Sequence, residues 1–254
     1  MKIFELITQL NNMYSFNLAE DYDNIGLLIG DENLEVKKVF TSLDIDFEIC
    51  MEAVDNGCNV IVSHHPLFAF DPLKKIDYNL YSGKLVKFIV ENNLNIIAMH
   101  TNVDNMNASV SKWIAEDLGF ETINYFSVEN EKSIGVVCSV DLKYHELLES
   151  LDNKYGSVNY IGDPRKRVSK IAIVGGSGSF LLDDFGSSDI DVFITGDIKY
   201  HDFHDMYKLD KCVVDIGHFA ENVFINKVLN NIDVNYYSSK RTSIIKKTGG
   251  NYEC

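Results

Sequence analysis

Short apolar runs alternate with helical patterns along this chain, and they constrain its fold more than any other feature. In the first half, the strand-like runs VKKVFTSLDI, NVIV and NIIAM alternate with the helical segments DFEICMEAVDNG and SGKLVKFIVENN. In the second half, the strand-like runs are SIGVVCSV, VSKIAIV, DVFITGD and CVVDIGH, and a last helix is predicted over residues 220–230. Val- and Ile-rich runs separated by helices of about a dozen residues are typical of an α/β fold with a largely buried sheet.

The two halves share this pattern in detail. NVIVSHH resembles DVFITGD, and NIIAMHTNVD resembles CVVDIGHFAE. We therefore predict two similar α/β lobes that face each other across a shared cleft, over residues 1–125 and 126–254. The boundary is placed in the polar stretch 121–133, and a return of the last strand, VNYYSS, to the first lobe is an alternative.

Composition excludes several classes of protein. A formal net charge of −15 repels a phosphate backbone, so general nucleic-acid binding is not expected. The N-terminal MKIFELITQLNNM predicts an amphipathic helix rather than a signal peptide, and no apolar run approaches the roughly 18 residues of a membrane span. Five cysteines without CxxC spacing indicate reduced thiols and a cytoplasmic protein.

Polar side chains follow the predicted strands at the points where they end. SHHP follows NVIV, and Pro66 cannot donate a ladder hydrogen bond, so strand pairing is expected to stop near His64 and His65. HTNVD supplies Asp104 after NIIAM. GHFAE supplies His218 and Glu221 three residues apart on one side of the last helix. In open α/β sheets, ligands usually bind beyond these strand ends.

Three imidazoles and two carboxylates form a ligand set suited to divalent transition metals. Zinc, iron, manganese and nickel all accept this mixture of donors. Five protein ligands are too many for one catalytic zinc with an open position, whereas they suit two ions roughly 3.5–4 Å apart. The sequence therefore predicts two divalent ions per chain, with one of the adjacent histidines directed to each.

Two further motifs lie near the same predicted strand ends. TGDIKYHDFHD contains His201, a candidate for orienting a ligand or carrying protons. His204 is interpreted as a surface residue, and nothing in the sequence assigns a role to His145. GGSGS follows a strand, so its amides could cradle a phosphate, but it lacks the GK[ST] of a P-loop. A tight turn beside the site is an equally good interpretation of GGSGS.

Six motifs in this order resemble those of the NGG-interacting-factor-three-like family, whose bacterial members are often named GTP cyclohydrolase 1 type 2 homologues. They are DYDNIGLLIG, VSHHPLF, HTNVD, GGSGS, TGDIKYHD and GHFAE. Tyr22 stands where relatives often have tryptophan, and some relatives separate the last histidine and glutamate by four residues rather than three. The chain is too short for the extra domain that some relatives insert between the halves.

The resemblance implies a two-metal centre held by His64, His65, Asp104, His218 and Glu221, two related lobes and a ring-shaped homohexamer. It also implies hydrolysis of GTP to formate and 7,8-dihydroneopterin triphosphate, with His201 or His100 as proton carrier. Two alternatives stay open. One is a protein that handles or inserts metal ions, and the other is an interaction protein without enzymatic activity.

Overall fold

The structure, a computed structural model, describes residues 1–68, 75–129 and 132–245. It contains two β-sheets, each accompanied by helices, which confirms the predicted α/β class. The chain divides into two compact units. The first contains Met1–Met106 and Phe224–Arg241, and the second contains Asn107–Val223 and the residues after Arg241.

The first unit is built on a five-stranded sheet. Its strands are β1 (Gly26–Ile29), β2 (Val39–Ser42), β3 (Val60–Ser63), β4 (Asn95–Ala98) and β11 (Tyr236–Ser238). The order is β1-β4-β3-β2-β11, with β1 antiparallel to β4 and the other neighbours parallel. β2, β3 and β4 are buried at every position, so their apolar runs behave as the central strands of a covered sheet.

Helices α1 (Ile3–Met13), α2 (Phe47–Asp55), α3 (Tyr81–Glu91) and α4 (Thr101–Asn105) belong to this unit, and Phe16–Leu18 forms a 3₁₀ turn. The helix predicted for DFEICMEAVDNG is confirmed as α2. Its amide at Ile49 is capped by Asp46, and the chain leaves the helix through Gly57 at φ +71°. The apolar faces of α2 and α3 pack on the sheet. The core residues are Phe40, Ile49, Cys50, Ala53, Cys58, Ile61, Leu85, Ile89, Leu94 and Ile96.

The second unit contains a six-stranded sheet in the order β5-β6-β8-β9-β10-β7. β8, β9 and β10 are parallel neighbours, and the remaining pairs are antiparallel. The strands are β5 (Glu121–Glu129), β6 (Lys132–Lys143), β7 (Asn159–Ile161), β8 (Arg167–Ser177), β9 (Val192–Gly196) and β10 (Cys212–Asp215).

Helices α5 (Ser109–Asp117), α6 (Tyr144–Tyr155), α7 (Leu182–Gly186) and α8 (Tyr200–Lys208) complete the second unit, with a 3₁₀ turn over Ser179–Leu181. Aromatic rings lie at the centre of its core, where Phe185 stacks on Phe193 at 5.3 Å between centroids. The core residues are Phe126, Val137, Ala172, Val174, Leu181, Leu182, Phe185, Ile190, Phe193, Met206 and Val213.

The division between units differs from the one placed on the sequence. The stretch 121–133 looked polar enough for a connection, but it contains β5 and the start of β6. The compact units divide instead after Met106 and again after Val223. The alternating polar residues that suggested a linker belong to β5, an edge strand that pairs on one side only. β11 pairs with β2, so VNYYSS does return to the first unit.

The last predicted helix was wrong in type and extent. Residues 220–230 were expected to form an α-helix, whereas the structure has a 3₁₀ helix over His218–Asn226 followed by turns. Runs of 3₁₀ helix this long are uncommon because their hydrogen bonds have poorer geometry, so no sequence pattern favours one in advance.

Cys50, Cys58, Cys138 and Cys212 are buried free thiols, and Cys254 lies outside the described residues. Burial raises the pKa of Cys50 to about 12 and of Cys138 to about 11, so these thiols pack as apolar groups.

Among the helices that the structure describes, none has the length and apolar composition needed to cross a membrane.

Candidate functional site

Three parallel strands of the first unit end at one edge of the sheet, and each delivers polar side chains there. Asp44 lies two residues beyond β2, His64 and His65 follow β3 directly, and His100 follows β4. Asp104 lies on α4, the short helix that begins immediately after His100. The common direction of β2, β3 and β4 therefore accounts for the convergence of these residues.

His64 is fully buried and held by the backbone. Its Nδ1 lies 2.9 Å from the carbonyl oxygen of Met99. A carbonyl oxygen only accepts hydrogen bonds, so Nδ1 carries the proton and Nε2 presents its lone pair. Nε2 lies 3.7 Å from Oδ1 of Asp104, whose carboxylate is buried as well. The two predicted ligands of this pair are thus close to each other.

His65 is held by a carboxylate instead of a carbonyl. Its Nδ1 lies 2.7 Å from Oδ1 of Asp44. Asp44 was not singled out in the sequence, although the position of SLDI at the end of a predicted strand is the same signal that identified the histidines. An acidic partner at Nδ1 fixes the ring orientation and makes Nε2 a more basic donor toward a metal ion.

His100 completes a group of imidazoles in the first unit. Ligand-capable atoms of His64, His65 and His100 all lie within 4.8 Å of one another. His100 Nδ1 lies 2.9 Å from Oδ1 of Asp23, a residue of the DYDNIGLLIG motif that was not assigned a role. The structure therefore places His100, a predicted proton carrier, beside two of the predicted ligands.

In the second unit, His218 and Glu221 form a close pair. They lie on the 3₁₀ helix, where three residues complete a turn, so positions i and i+3 are aligned. His218 Nε2 lies 3.0 Å from Oε2 of Glu221, and its Nδ1 lies 2.6 Å from Oδ2 of Asp197. Asp197 follows β9 directly, at φ +56°. The TGD and GHFAE motifs therefore meet at the carboxyl ends of β9 and β10.

Gly176 makes room for Glu221. A Cβ atom at residue 176, where φ is +60°, would contact the Glu221 carboxylate and lie 2.9 Å from its Cδ. The backbone of the GGSGS motif can approach Glu221 this closely only because residue 176 has no side chain. This role of the motif was not foreseen.

Two amides of GGSGS are already hydrogen-bonded within the second unit. The Gly175 amide donates to Oγ of Ser111 at 2.9 Å, and the Gly178 amide donates to Oγ1 of Thr195 at 2.8 Å. The Thr195 hydroxyl donates in turn to the Gly176 carbonyl at 3.0 Å. These bonds engage amides that a phosphate cradle would require. The first three residues of GGSGS end β8 and its last residue begins the 3₁₀ turn Ser179–Leu181, so the motif is mostly strand rather than the tight turn that was the other interpretation.

His201 lies exposed on α8, with its ring 5.5 Å from that of Tyr200. Within the part of the chain that the structure describes, no group of three or more potential ligands includes His201. His204, interpreted as a surface residue, is also exposed and stacks on Tyr200.

The donors are suited to a transition metal. Each predicted histidine ligand has its Nδ1 held by an oxygen: His64 by Met99, His65 by Asp44 and His218 by Asp197. In metal-binding histidines, one ring nitrogen is usually held by such an oxygen while the other nitrogen coordinates the ion. Buried carboxylates of Asp104 and Glu221 lie beside two of these imidazoles.

Comparison with known proteins assigns the chain to a family. Residues 1–246 match the model of the Duf34/NIF3 (NGG1p interacting factor 3) family. The chain belongs to this family. The predicted resemblance is thereby confirmed over nearly the whole chain.

Relatives in the NIF3 family are similar along most of their length. A GTP cyclohydrolase 1 type 2 homolog of Campylobacter jejuni is 32% identical over 234 residues, covering 90% of each chain. One of Clostridium acetobutylicum is 30% identical over 228 residues, covering 87% of this chain and 85% of the relative. The crystal structure of Staphylococcus aureus hypothetical protein SA1388 superimposes with a TM-score of 0.88 at 29% identity, covering 97% and 99% of the two chains.

Proposed function

We propose that this protein binds two divalent metal ions per chain and uses them to hydrolyse a nucleotide-like substrate. The ligands are His64, His65 and Asp104 of the first unit and His218 and Glu221 of the second. The observation that carries the proposal is the uniform hydrogen bonding of the three histidines at Nδ1, which presents Nε2 of each ring for coordination. The mixture of imidazole and carboxylate fits zinc, iron, manganese or nickel.

The proposed reaction is the conversion of GTP and water to formate and 7,8-dihydroneopterin triphosphate, which the names of the bacterial relatives suggest. Divalent ions supply Lewis acidity, which makes water a nucleophile near neutral pH. The protein holds the donors in place through Asp44, Asp197 and the Met99 carbonyl. His100 or His201 accepts and returns protons, and His100 lies beside His64 and His65.

The first test is elemental analysis of protein purified without added metal or chelator, reported per chain. We expect about two transition-metal ions in the wild type and a loss of at least one in His65→Ala and in Glu221→Gln. His204→Ala is the matched control, because it removes an exposed imidazole outside these ligand groups and keeps the metal content unchanged. A wild-type protein that stays metal-free after reconstitution contradicts the ligand assignment.

The second test is formate release from GTP by the reconstituted protein. We expect turnover that disappears in His65→Ala and persists in His204→Ala. Tight metal binding without release of formate would contradict hydrolysis of GTP. It would support the alternative of a metal-handling protein, which the net charge of −15 also favours because an acidic surface attracts cations.

We also propose that the chain assembles as a ring-shaped homohexamer, as its family resemblance implies. Light scattering on a size-exclusion column measures the mass directly. A mass of six chains supports the proposal, and a stable monomer or dimer contradicts it.

An interaction protein without activity, the remaining alternative, would retain its partners in the metal-free His65→Ala variant.

A further inference from the structure

His100 is an imidazole beside the predicted ligands that is not itself one of them. Its ring centroid lies 5.2 Å from that of His64 and 5.7 Å from that of His65, and both contacts are edge-on. Its side chain is 17% exposed, so part of the ring reaches solvent at the sheet edge. What the ring can do there depends on which of its nitrogens carries a proton.

The partner of His100 is an unusually well-anchored carboxylate. The Asp23 side chain is 2% exposed, and its Oδ1 lies 2.9 Å from His100 Nδ1. Oδ1 also accepts from the Asn24 amide at 2.8 Å. Oδ2 accepts from the Thr101 amide at 3.0 Å and from the Thr101 hydroxyl at 2.5 Å. The oxygen of the Thr101 hydroxyl accepts a hydrogen bond from the Glu20 amide. The hydroxyl proton of Thr101 therefore points to Asp23.

Asp23 is ionised at neutral pH. Burial raises the pKa of this carboxyl group, but the hydrogen bonds from His100 and Thr101 outweigh burial and lower the pKa to about 2. An ionised carboxylate can only accept hydrogen bonds, so the proton shared with His100 belongs to Nδ1. In a neutral imidazole, Nε2 is then the acceptor.

We propose that Asp23 is a positioning residue that holds His100 in the Nδ1–H tautomer, so that Nε2 accepts a proton beside His64 and His65. The role in turnover rests on the proposed hydrolysis, whereas the tautomer does not. When water adds to a C=N bond of the substrate, the water oxygen bonds to carbon and the π electrons move to nitrogen. The proton released from water goes to Nε2 of His100 and then to that nitrogen, and the carboxylate of Asp23 balances the intervening positive charge.

Asp23→Asn distinguishes control of the His100 tautomer from a role of Asp23 in packing, because asparagine has nearly the same size and shape as aspartate. Two donors of Thr101 face the position of Oδ2, whereas the Asn24 amide and the adaptable His100 ring face that of Oδ1. With the asparagine oxygen at Oδ2 only the Asn24 amide loses its acceptor, whereas the reverse orientation takes the acceptor from both Thr101 donors, so the oxygen is expected at Oδ2. The amide NH₂ then faces His100 Nδ1 and donates to it, which moves the ring proton to Nε2. The variant therefore reverses the tautomer of His100 instead of simply releasing the ring.

The experiment is ¹⁵N NMR of histidine-labelled, metal-free, full-length protein at about pH 8, above the usual histidine pKa of ~6.5. His100→Gln assigns the ring signals by their loss. We expect the Nδ1–H tautomer of His100 in the wild type and the Nε2–H tautomer in Asp23→Asn. Asp141→Asn, which removes an exposed carboxylate paired with Arg167, is the matched control and leaves the tautomer unchanged.

Either of two results overturns the proposal: an Nε2–H tautomer in the wild type, or the same tautomer in the wild type and in Asp23→Asn. The wild-type spectrum alone decides if the variant does not fold. A separate measurement on zinc-loaded protein addresses turnover. There we expect Asp23→Asn to keep its zinc and to lose at least 100-fold in formate release. Absence of turnover in the wild type counts against the proposed hydrolysis, while the NMR result still decides the role of Asp23.

Discussion

At the scale of single residues, the orientation of an imidazole matters as much as its identity. The side chain of His65 is anchored at Nδ1 by Asp44 at 2.7 Å, and that of His218 by Asp197 at 2.6 Å. In the proposed metal site, these carboxylates would affect binding of an ion without touching it. They keep Nε2 of each ring in one direction and raise its basicity.

Removal of the Asp44 carboxylate tests this effect. We expect Asp44→Ala to bind zinc 10–100-fold more weakly than the wild type, because His65 loses its orientation. Competition with a chelator of known affinity measures the change. Asp205→Ala, which removes an exposed carboxylate paired with Lys208, should leave the affinity unchanged. Equal affinities in the wild type and Asp44→Ala would show that His65 is not held for coordination.

Gly176 offers a second test at this scale. In Gly176→Ala the new methyl group contacts the Glu221 carboxylate, so we expect displacement of Glu221 and a roughly 10–100-fold loss of zinc affinity. Gly119→Ala is a matched control, since its φ of +77° carries the same backbone strain and nothing lies within 4 Å of the added Cβ. Both variants lose about 1–2 kcal/mol of stability from the left-handed backbone. Similar zinc affinities in the two would rule out the contact with Glu221 as the cause.

The histidines could be located from the sequence, whereas their pairing with particular carboxylates could not. His64, His65 and His100 follow Val- and Ile-rich runs directly, so the end of each strand marks their position. Asp23 lies 77 residues from His100, and Asp44 lies 21 residues from His65. Asp44 lies at the end of a predicted strand and could have been found by the signal that marked the histidines, whereas no predicted strand end precedes Asp23.

At the scale of elements, a helix was predictable where its sequence marks its two ends and its buried face. α2 has an N-cap aspartate, a buried apolar face and a glycine exit, and each of these is visible in the sequence. The 3₁₀ helix over His218–Asn226 has no such signals, and an α-helix with the same residues looked equally good. The wrong helix type did not affect the prediction that His218 and Glu221 lie on one side of the helix, because residues three apart share a face in both helix types.

The cap of α2 is tied to the far end of the chain. Asp46 accepts from the Ile49 amide at 3.0 Å and from Arg241 Nη2 at 2.9 Å. We expect Asp46→Ala to lower the free energy of unfolding by about 1–2 kcal/mol, because it removes both the cap and the ion pair. Asp46→Ser keeps an acceptor for the Ile49 amide and should lose less than about 1 kcal/mol. Equal losses in urea unfolding would assign the whole effect to Arg241.

Acid should weaken the same interaction. Burial raises the pKa of Asp46, but hydrogen bonds from Arg241 and the Ile49 amide outweigh burial, and the net pKa lies below its usual value. The stabilisation is therefore complete above the unfolded-state pKa of ~3.9 and is lost as pH falls through the folded-state pKa. We expect the stability difference between the wild type and Asp46→Ala to be constant near neutral pH and to shrink below about pH 4. A difference that grows on acidification would contradict this assignment.

At the scale of the whole molecule, the first unit is discontinuous in sequence. It uses Met1–Met106 and then Phe224–Arg241, and β11 completes its sheet by pairing with β2. Tyr237 stacks on Phe40 at 5.7 Å, and the Ser238 hydroxyl lies 3.0 Å from that of Thr41. The predicted lobes were continuous because a three-residue edge strand is too short to be assigned to either half from its sequence.

Truncation tests the contribution of β11. We expect a chain that ends at Asn235 to lose several kcal/mol, because β2 loses a hydrogen-bonded neighbour and Asp46 loses Arg241. A chain that ends at Ile245 keeps β11 and Arg241 and is the control. Hydrogen exchange at the amides of β2 is the measurement. Protection that is equal in the two truncated chains would show that β11 contributes little to the sheet.

The position of β11 also has a consequence for synthesis on the ribosome. The residues up to Met106 leave the exit tunnel long before their last strand exists, and Asn107–Asn235 must be translated in between. At 5–20 residues per second, that stretch takes about 6–26 s. During this time the β2 edge of the nascent sheet lacks its neighbour. Exposed strand edges invite pairing with other chains, so we expect the nascent protein to depend on chaperones at this stage.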